Sequence, residues 1–193
     1  MYVESSVTVP APFVLADVIA QKESELYALR SELARQRASS RLPTAEAVIV
    51  RCRLGEHNVA FLASEVSEVV RMAELSTIPD APVWYMGLLA IGSQRIPVID
   101  LFARQTGRHR TPDPNELIVL TESRSGLCGL VVDEVAELVT IHGSQVVRPA
   151  PDAPFGAHVL GTVTVRSESV LLLSAAPLSL KDLDLASPTE VAG

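Results

Sequence analysis

The sequence predicts a mainly β protein: two five-stranded β-barrel subdomains related by a pseudo-twofold, preceded by an N-terminal α-helix. Three observations carry this. Residues 47–70 lie on 116–139 without a gap, at an offset of 116 − 47 = 69, so that Glu65, Val66, Glu68 and Val70 fall on Glu134, Val135, Glu137 and Val139. Residues 86–100 lie on 160–174, at an offset of 160 − 86 = 74, which matches Gly87 with Gly161 and Ser93 with Ser167. Both stretches consist of short apolar runs separated by turn residues, several alternating apolar and polar, which is the pattern of β-hairpins. Residues 13–38, by contrast, contain neither Pro nor Gly and are rich in helix formers. Five short strands per copy favour curling into a barrel, because closure removes exposed edges.

Taken in order, residues 1–12 read as a flexible lead containing Pro10 and Pro12, and 13–38 as an amphipathic helix of six or seven turns. Its apolar seam is Leu15, Ile19, Leu26, Leu29 and Leu33, with Lys22 interrupting it. That seam suits either a short coiled coil with a twin or partner, or packing back onto the β domain. Residues 39–46 form a linker, stopped by Ser39, Ser40 and Pro43. The β domain spans 47–183, with interleaved repeats at 47–106 and 116–176, and 184–193 is a flexible tail. Within the first repeat, "VIVRCRL" predicts a strand with Val48, Val50, Cys52 and Leu54 on its buried face, and "VAFLA" a second. "SEVSEVVR" predicts one or two helical turns with Ser64 as N-cap. "MGLLAI" and "RIPVIDLF" form a hairpin around "GSQ", with Pro97 at a strand edge or bulge. The second repeat runs through "ELIVLTE", "LCGLVVDEV", "HVLGTVTV" and "VLLLS", and a short helix is expected at 177–183.

The composition excludes several functions. Sixteen Lys and Arg against 23 Asp and Glu give a net charge of −7, which argues against a nucleic-acid or anionic-membrane surface. No apolar run approaches the roughly 18 residues of a membrane span, and "MYVESSVTVP" lacks the basic start of a secretory signal. Two cysteines, Cys52 and Cys128, fit buried reduced thiols in the cytoplasm. His57, His109, His142 and His158 have no second ligand at metal spacing, so no metal or cofactor is expected. Asp100 and Asp133 suggest a carboxylate dyad, but the repeat places them opposite Ser174 and Ser64 rather than opposite each other, so capping roles are expected instead. Trp84 is read as a core plug ahead of an interface anchor. No reaction suggests itself, which leaves surfaces for partners.

"STIPDAPVWYMGLLAIGSQRIPVIDL", followed by "LCGLVVDEVAELV", "VVRPAP" and "VLGTVTVRSESVLLLS", resembles the CheW-like domain of bacterial chemosensory systems over roughly residues 47–180. The resemblance implies two β-barrels and a non-enzymatic coupling role. The partners it implies are the regulatory domain of a CheA-type histidine kinase and the cytoplasmic tip of a chemoreceptor, with localisation at membrane-associated arrays. The expected partner-contacting residues are Val66, Glu68 and Val69, Gly87, Ile91, Gly92 and Arg95, and Val135 and Leu138. One departure stands out. The family's Asn-Leu-Arg-Gly stretch is here Ala90-Ile91-Gly92-Ser93, so its signature Arg falls on Gly92, and Arg95 is the nearest arginine beyond it. The alternative is therefore a divergent scaffold or localisation protein that has lost receptor–kinase coupling and self-associates through its N-terminal helix.

Overall fold

The computed structural model describes Lys22, Leu42, Pro43 and residues 45–123 and 126–178. The expected seam residues Leu15, Ile19, Leu26, Leu29 and Leu33 lie outside these, as do the tail and residues 179–183 of the expected C-terminal helix; its start is a turn at Ala176–Pro177.

The first repeat gives β1 (Glu46–Leu54), β2 (His57–Leu62), β3 (Val66–Arg71), β4 (Tyr85–Ile91) and β5 (Gln94–Ile99), then the helix α1 (Leu101–Thr106). The second gives β6 (Leu117–Ser123), β7 (Gly126–Val132), β8 (Glu134–His142), β9 (Val159–Val165) and β10 (Glu168–Leu173). Shifting β4 and β5 by 74 lands on the bounds of β9 and β10, so the repeat register read from the sequence is the register of the strands. The two sheets run β8-β1-β2-β10-β9 and β3-β6-β7-β5-β4. Advancing every strand of the first by five gives the second: each sheet takes two strands from one repeat and three from the other, and neither repeat completes a sheet alone.

The ladders do not close into the expected barrels. Each is a five-stranded sheet whose end strands are joined only by one isolated bridge, Ser76 to Leu88 in one and Val147 to Thr162 in the other. Each bridge makes two backbone hydrogen bonds of 2.8–3.0 Å. At both places β4 or β9 passes so close to the neighbouring backbone that only glycine fits. A Cβ on Gly87, whose φ is +139°, would stand 2.7 Å from the Ser76 carbonyl oxygen. One on Gly161 would strike Val146 Cγ1 and stand 2.9 Å from the Val147 oxygen.

Inner strands such as β2 and β7 are buried on both faces, which divides the apolar interior into three. Ile49, Leu62, Val163 and Leu172 fill the concave side of the first sheet. Their repeat equivalents Ile118, Val131, Leu89 and Val98 fill the second. Val50, Cys52, Phe61, Val119, Cys128 and Leu130 form a third core between the sheets. This corrects the reading of β1: Ile49, on the opposite parity, is fully buried, whereas Val48 is 42% exposed because it lies beyond the sheet stacked on its neighbours.

Three further expectations change. "SEVSEVVR" is not helical: after a single 3-10 turn at Ala63–Glu65, with no side-chain cap, it is β3, because β6 offers a free edge and Val66 and Val70 bury against the cores. Tertiary pairing overrides the local pattern here. Pro97 is in an interior strand, between β7 and β4. It is tolerated because its partner Leu88 turns both backbone groups to Ser76, and the β7 ladder begins only at Val98. Asp133 caps no turn; its Oδ2 accepts a 2.6 Å hydrogen bond from the Gly55 amide, across to the β1–β2 turn. Asp100 does cap α1, accepting from the Ala103 amide at 2.9 Å.

The junction of the sheets has unlike ends. Asp100 N–H donates to the Trp84 oxygen at 2.9 Å, and at the equivalent positions Ser174 N–H donates to the His158 oxygen at 2.9 Å. Trp84 is half-buried against the inter-sheet core with the Arg104 guanidinium 4.7 Å above its ring. His158 is buried, its Nδ1 3.2 Å from the Ser174 oxygen. Burial, aided by Arg104, lowers its pKa from 6.5 to about 4. The unfolded chain therefore binds a proton near pH 6.5 that the folded chain refuses until about pH 4. Stability is present above this window and lost as the pH falls through it, by up to about 3 kcal/mol at about 1.4 kcal/mol per pKa unit. A proton NMR titration should show the His158 ring still neutral at pH 5, and an imidazole titrating above pH 6 would contradict the burial argument.

Candidate partner-docking surface

The expected partner residues fall in three places. Val66, Glu68 and Val69 are on β3, an edge of one sheet; Val135 and Leu138 are on β8, an edge of the other. The offset of 69 makes Val66 equivalent to Val135 and Val69 to Leu138. The register settles which way they face. Val69 pairs with Val119, and Leu138 with Val50, and both partners belong to the core between the sheets. Val66 and Val135 are half-buried against that core. Val69 and Leu138 overhang it, 37% and 68% exposed. The two edges thus form the two mouths of one apolar seam, and Val48 joins Leu138 on the second as a diagonal neighbour on the same face.

Gly87, Ile91, Gly92 and Arg95 form the third place, the β4–β5 hairpin. Gly87 is buried and Ile91 packs on the concave core of its sheet, so neither presents a free side chain. Gly92 is exposed at the hairpin turn, with nothing within 4 Å of where a Cβ would stand. Arg95 is exposed on β5, opposite Ala90.

The other faces of the two edge strands differ in charge: Glu137 turns to the side of Val139 and Ile141, and Glu68 to the side of Val70, away from Leu138 and Val69. On the face of β8 opposite to Leu138, Glu137 accepts from Arg51 Nη1 at 3.1 Å and pairs with Arg166 Nη2 at 2.7 Å, while Arg51 also pairs with Glu168. The positions equivalent to Arg51, Arg166 and Glu168 are Leu120, Gly92 and Gln94, so Glu68 on β3 has no such cluster around it. The concave face of β8 is charge-compensated at its edge, whereas exposed Glu68 on the concave face of β3 has no ion-pair partner of that kind among the described residues. Arg51 and Arg166 were missed in the sequence because alternation marks Arg51 only as solvent-facing; comparing the charges of the two repeats position by position would have exposed the asymmetry.

A second polar group was also missed. Arg110, from the loop after α1, reaches Asp100 at 2.9 Å, Glu116 at 3.0 Å and Asp133 at 2.8 Å. The two acids considered as a dyad do converge, but on a guanidinium. Burial alone would lower the Arg110 pKa, yet the three carboxylates together hold it above its ordinary value. Glu116 moves the other way from the usual paired acid: burial raises it, and the Asp113 amide and Arg110 only partly offset this, because one cation is shared among three anions. Burial pushes the Cys52 and Cys128 thiols up to about 12, leaving neither as a nucleophile near neutral pH. Among the described residues no group of His, Cys, Asp and Glu side chains is arranged to hold a metal, and no helix is long and apolar enough to cross a membrane.

A pair of strand-exchanged sheets with apolar edges flanking their seam defines a double-sheet docking module. The chain belongs to the CheW-like domain family, which matches residues 48–181. It is 23% identical to the chemotaxis protein CheW of Rhizobium meliloti, over 74% of this chain and 88% of that one. It is also 23% identical to a probable chemotaxis protein CheW of Rhizobium etli, over 54% of this chain and 66% of that one, so the match spans just under two thirds of the latter relative. The crystal structure of the scaffolding protein TtCheW from Thermoanaerobacter tengcongensis superposes with a TM-score of 0.63 at 25% identity, covering 69% of this chain and 87% of that one.

Proposed function

We propose that this protein is a non-enzymatic adaptor of a bacterial chemosensory pathway, acting in the cytoplasm at receptor arrays. It joins the regulatory domain of a CheA-type histidine kinase to the cytoplasmic tip of a chemoreceptor. The observation that carries the reading is the pair of equivalent apolar mouths: one seam offers two partners similar footholds, Val66 with Val69 and Val135 with Leu138. Apolar burial supplies the affinity, and the charges on the other faces of the same edge strands, exposed Glu68 on β3 and ion-paired Glu137 on β8, set which partner takes which edge. The test is direct binding of the full chain to the purified kinase regulatory domain and receptor tip of the same organism. Affinities of micromolar or tighter, about −8 kcal/mol, are expected for at least one. Covering Leu138 contributes about 2 kcal/mol if it is an anchor, so Leu138→Asp should weaken its partner at least about tenfold.

Gly92 favours a second reading. A hairpin tip without a side chain at the position of the family's signature arginine suits a scaffold that kept the fold and lost receptor–kinase coupling. Under that reading neither purified partner binds, while the isolated chain remains folded.

A further inference from the structure

The tips of the two equivalent hairpins are built differently. The offset of 74 places Arg166-Ser167, at the β9–β10 tip, on Gly92-Ser93, at the β4–β5 tip. Both are two-residue turns, between Val165 and Glu168 in one and between Ile91 and Gln94 in the other. Gly92 takes a φ of +58°, which glycine adopts freely. Arg166 and Ser167 hold φ values of +48° and +70°, in the left-handed region that such turns normally fill with Asn, Asp or Gly. The hairpin therefore does not need an arginine, and its backbone is strained by one. The ion pairs beneath it do not need one either. Arg51, Glu137 and Glu168 lie on the concave face of the first sheet, where Arg51, with only 15% of its side chain exposed, already pairs with both acids. Arg166 reaches over them from the tip. Its Nη2 stands 2.7 Å from Glu137 Oε2, the oxygen that Arg51 does not use, while 74% of its side chain stays exposed. An exposed pair of this kind stabilises a fold little. The other N–H groups of Arg166 make no hydrogen bond among the described residues, and the two arginines and two glutamates together are neutral.

We infer that Arg166 is the residue with which the first sheet recognises a carboxylate on a partner protein. A guanidinium is a planar fork of N–H donors that matches the two oxygens of a carboxylate. Glu137 holds this one through a single nitrogen, so less side-chain freedom is lost when the remaining donors engage a partner. Arg95, exposed near the other tip, has no ion-pair partner among the described residues and lacks that anchoring. A phosphoryl group is the poorer match. It carries nearly two charges and is typically taken by a cluster of arginines, whereas Arg51 beneath is already shared between two acids. The inference rests on the adaptor reading for the partner itself, a protein docking at the β8 edge, and adds the acidic side chain that this partner must present.

The test measures binding of the full chain, and of its Arg166→Gly, Arg166→Asn and Arg166→Lys variants, to the purified kinase regulatory domain and receptor tip of the same organism, at low and at high salt. Glycine and asparagine suit the left-handed turn, so both variants should fold with thermal midpoints equal to or above that of the parent. Both should weaken one of the two partners at least about tenfold and flatten the salt dependence of its affinity. Arg166→Lys should recover only part of the loss, because it keeps the charge and loses the fork. A parent that binds, with affinities that neither the Gly nor the Asn variant changes, would overturn the inference and leave the adaptor reading standing. Thermal midpoints lowered by several degrees in both variants would also overturn it, by assigning Arg166 to the fold. A parent that binds neither partner would overturn both readings together, so the two failures are told apart by the parent alone.

Discussion

Replacing Arg110 with Met is expected to destabilise the protein by about 3 kcal/mol, the range for breaking a buried ion pair and leaving its partner uncompensated. Arg110 ties three elements: Asp100 at the start of α1, Glu116 before β6, and Asp133, whose other oxygen holds the β1–β2 turn of the opposite sheet. Without the guanidinium three carboxylates face one another, and Asp100 is almost wholly buried. The pH dependence separates charge from packing. In the variant Glu116, whose folded pKa burial already raises, loses the cation that partly offsets that rise. Stability is then present below the unfolded pKa and lost as the pH rises through the raised value. The deficit against the parent protein should be largest at neutral pH and narrow toward pH 4, measured as urea midpoints across that range. A deficit constant with pH would mean that Arg110 acts through its aliphatic stem.

Gly87→Ala is expected to cost about as much, roughly 3 kcal/mol, because a strained backbone and a backbone clash coincide. Its φ of +139° is available to glycine and rarely to other residues, and its new Cβ would press on the Ser76 oxygen and on Leu75 Cβ at 3.0 Å. The damage falls on the bridge that joins β4 to the β3 extension. Gly161→Ala is the internal comparison. It meets a similar crowd, the Val146 side chain and the Val147 oxygen, but its φ is not in the positive range, so the backbone strain is absent. Thermal denaturation should rank Gly87→Ala below Gly161→Ala. The measurement also decides what Gly87 is for. A fold weakened at both glycines marks a shared structural constraint, whereas lost partner binding at unchanged stability would put Gly87 in the docking surface itself.

The repeat was legible because it is written in periodicities that survive divergence. Glu65-Val66 and Glu134-Val135, Gly87 and Gly161, and the turns at Ser93 and Ser167 keep their spacing even where side chains differ. Strand identity failed at "SEVSEVVR", where a one-dimensional pattern shows Val66, Val69 and Val70 at helical spacing and is silent about the free edge of β6 that captures them, and at its counterpart β8, which runs on to His142 beyond "LCGLVVDEV". The edge residues Val66, Glu68, Val69, Val135 and Leu138 were found through likeness of sequence, yet only the register shows that Val69 and Leu138 overhang one seam from opposite ends.

The sequence by itself determined that the chain contains one fold unit written twice, that the strands alternate as they do, and that glycine recurs at 87 and 161. These follow from local patterning, in which each residue type reports the face or turn it occupies. Which strands pair was decided only in three dimensions. The exchange of β3, β4 and β5 for β8, β9 and β10 between sheets is invisible to periodicity, since either partner would bury the same apolar faces. So is the convergence of Asp100, Glu116 and Asp133 on Arg110, because a buried charge is set by neighbours distant along the chain, and only their assembled geometry makes one cation serve three acids.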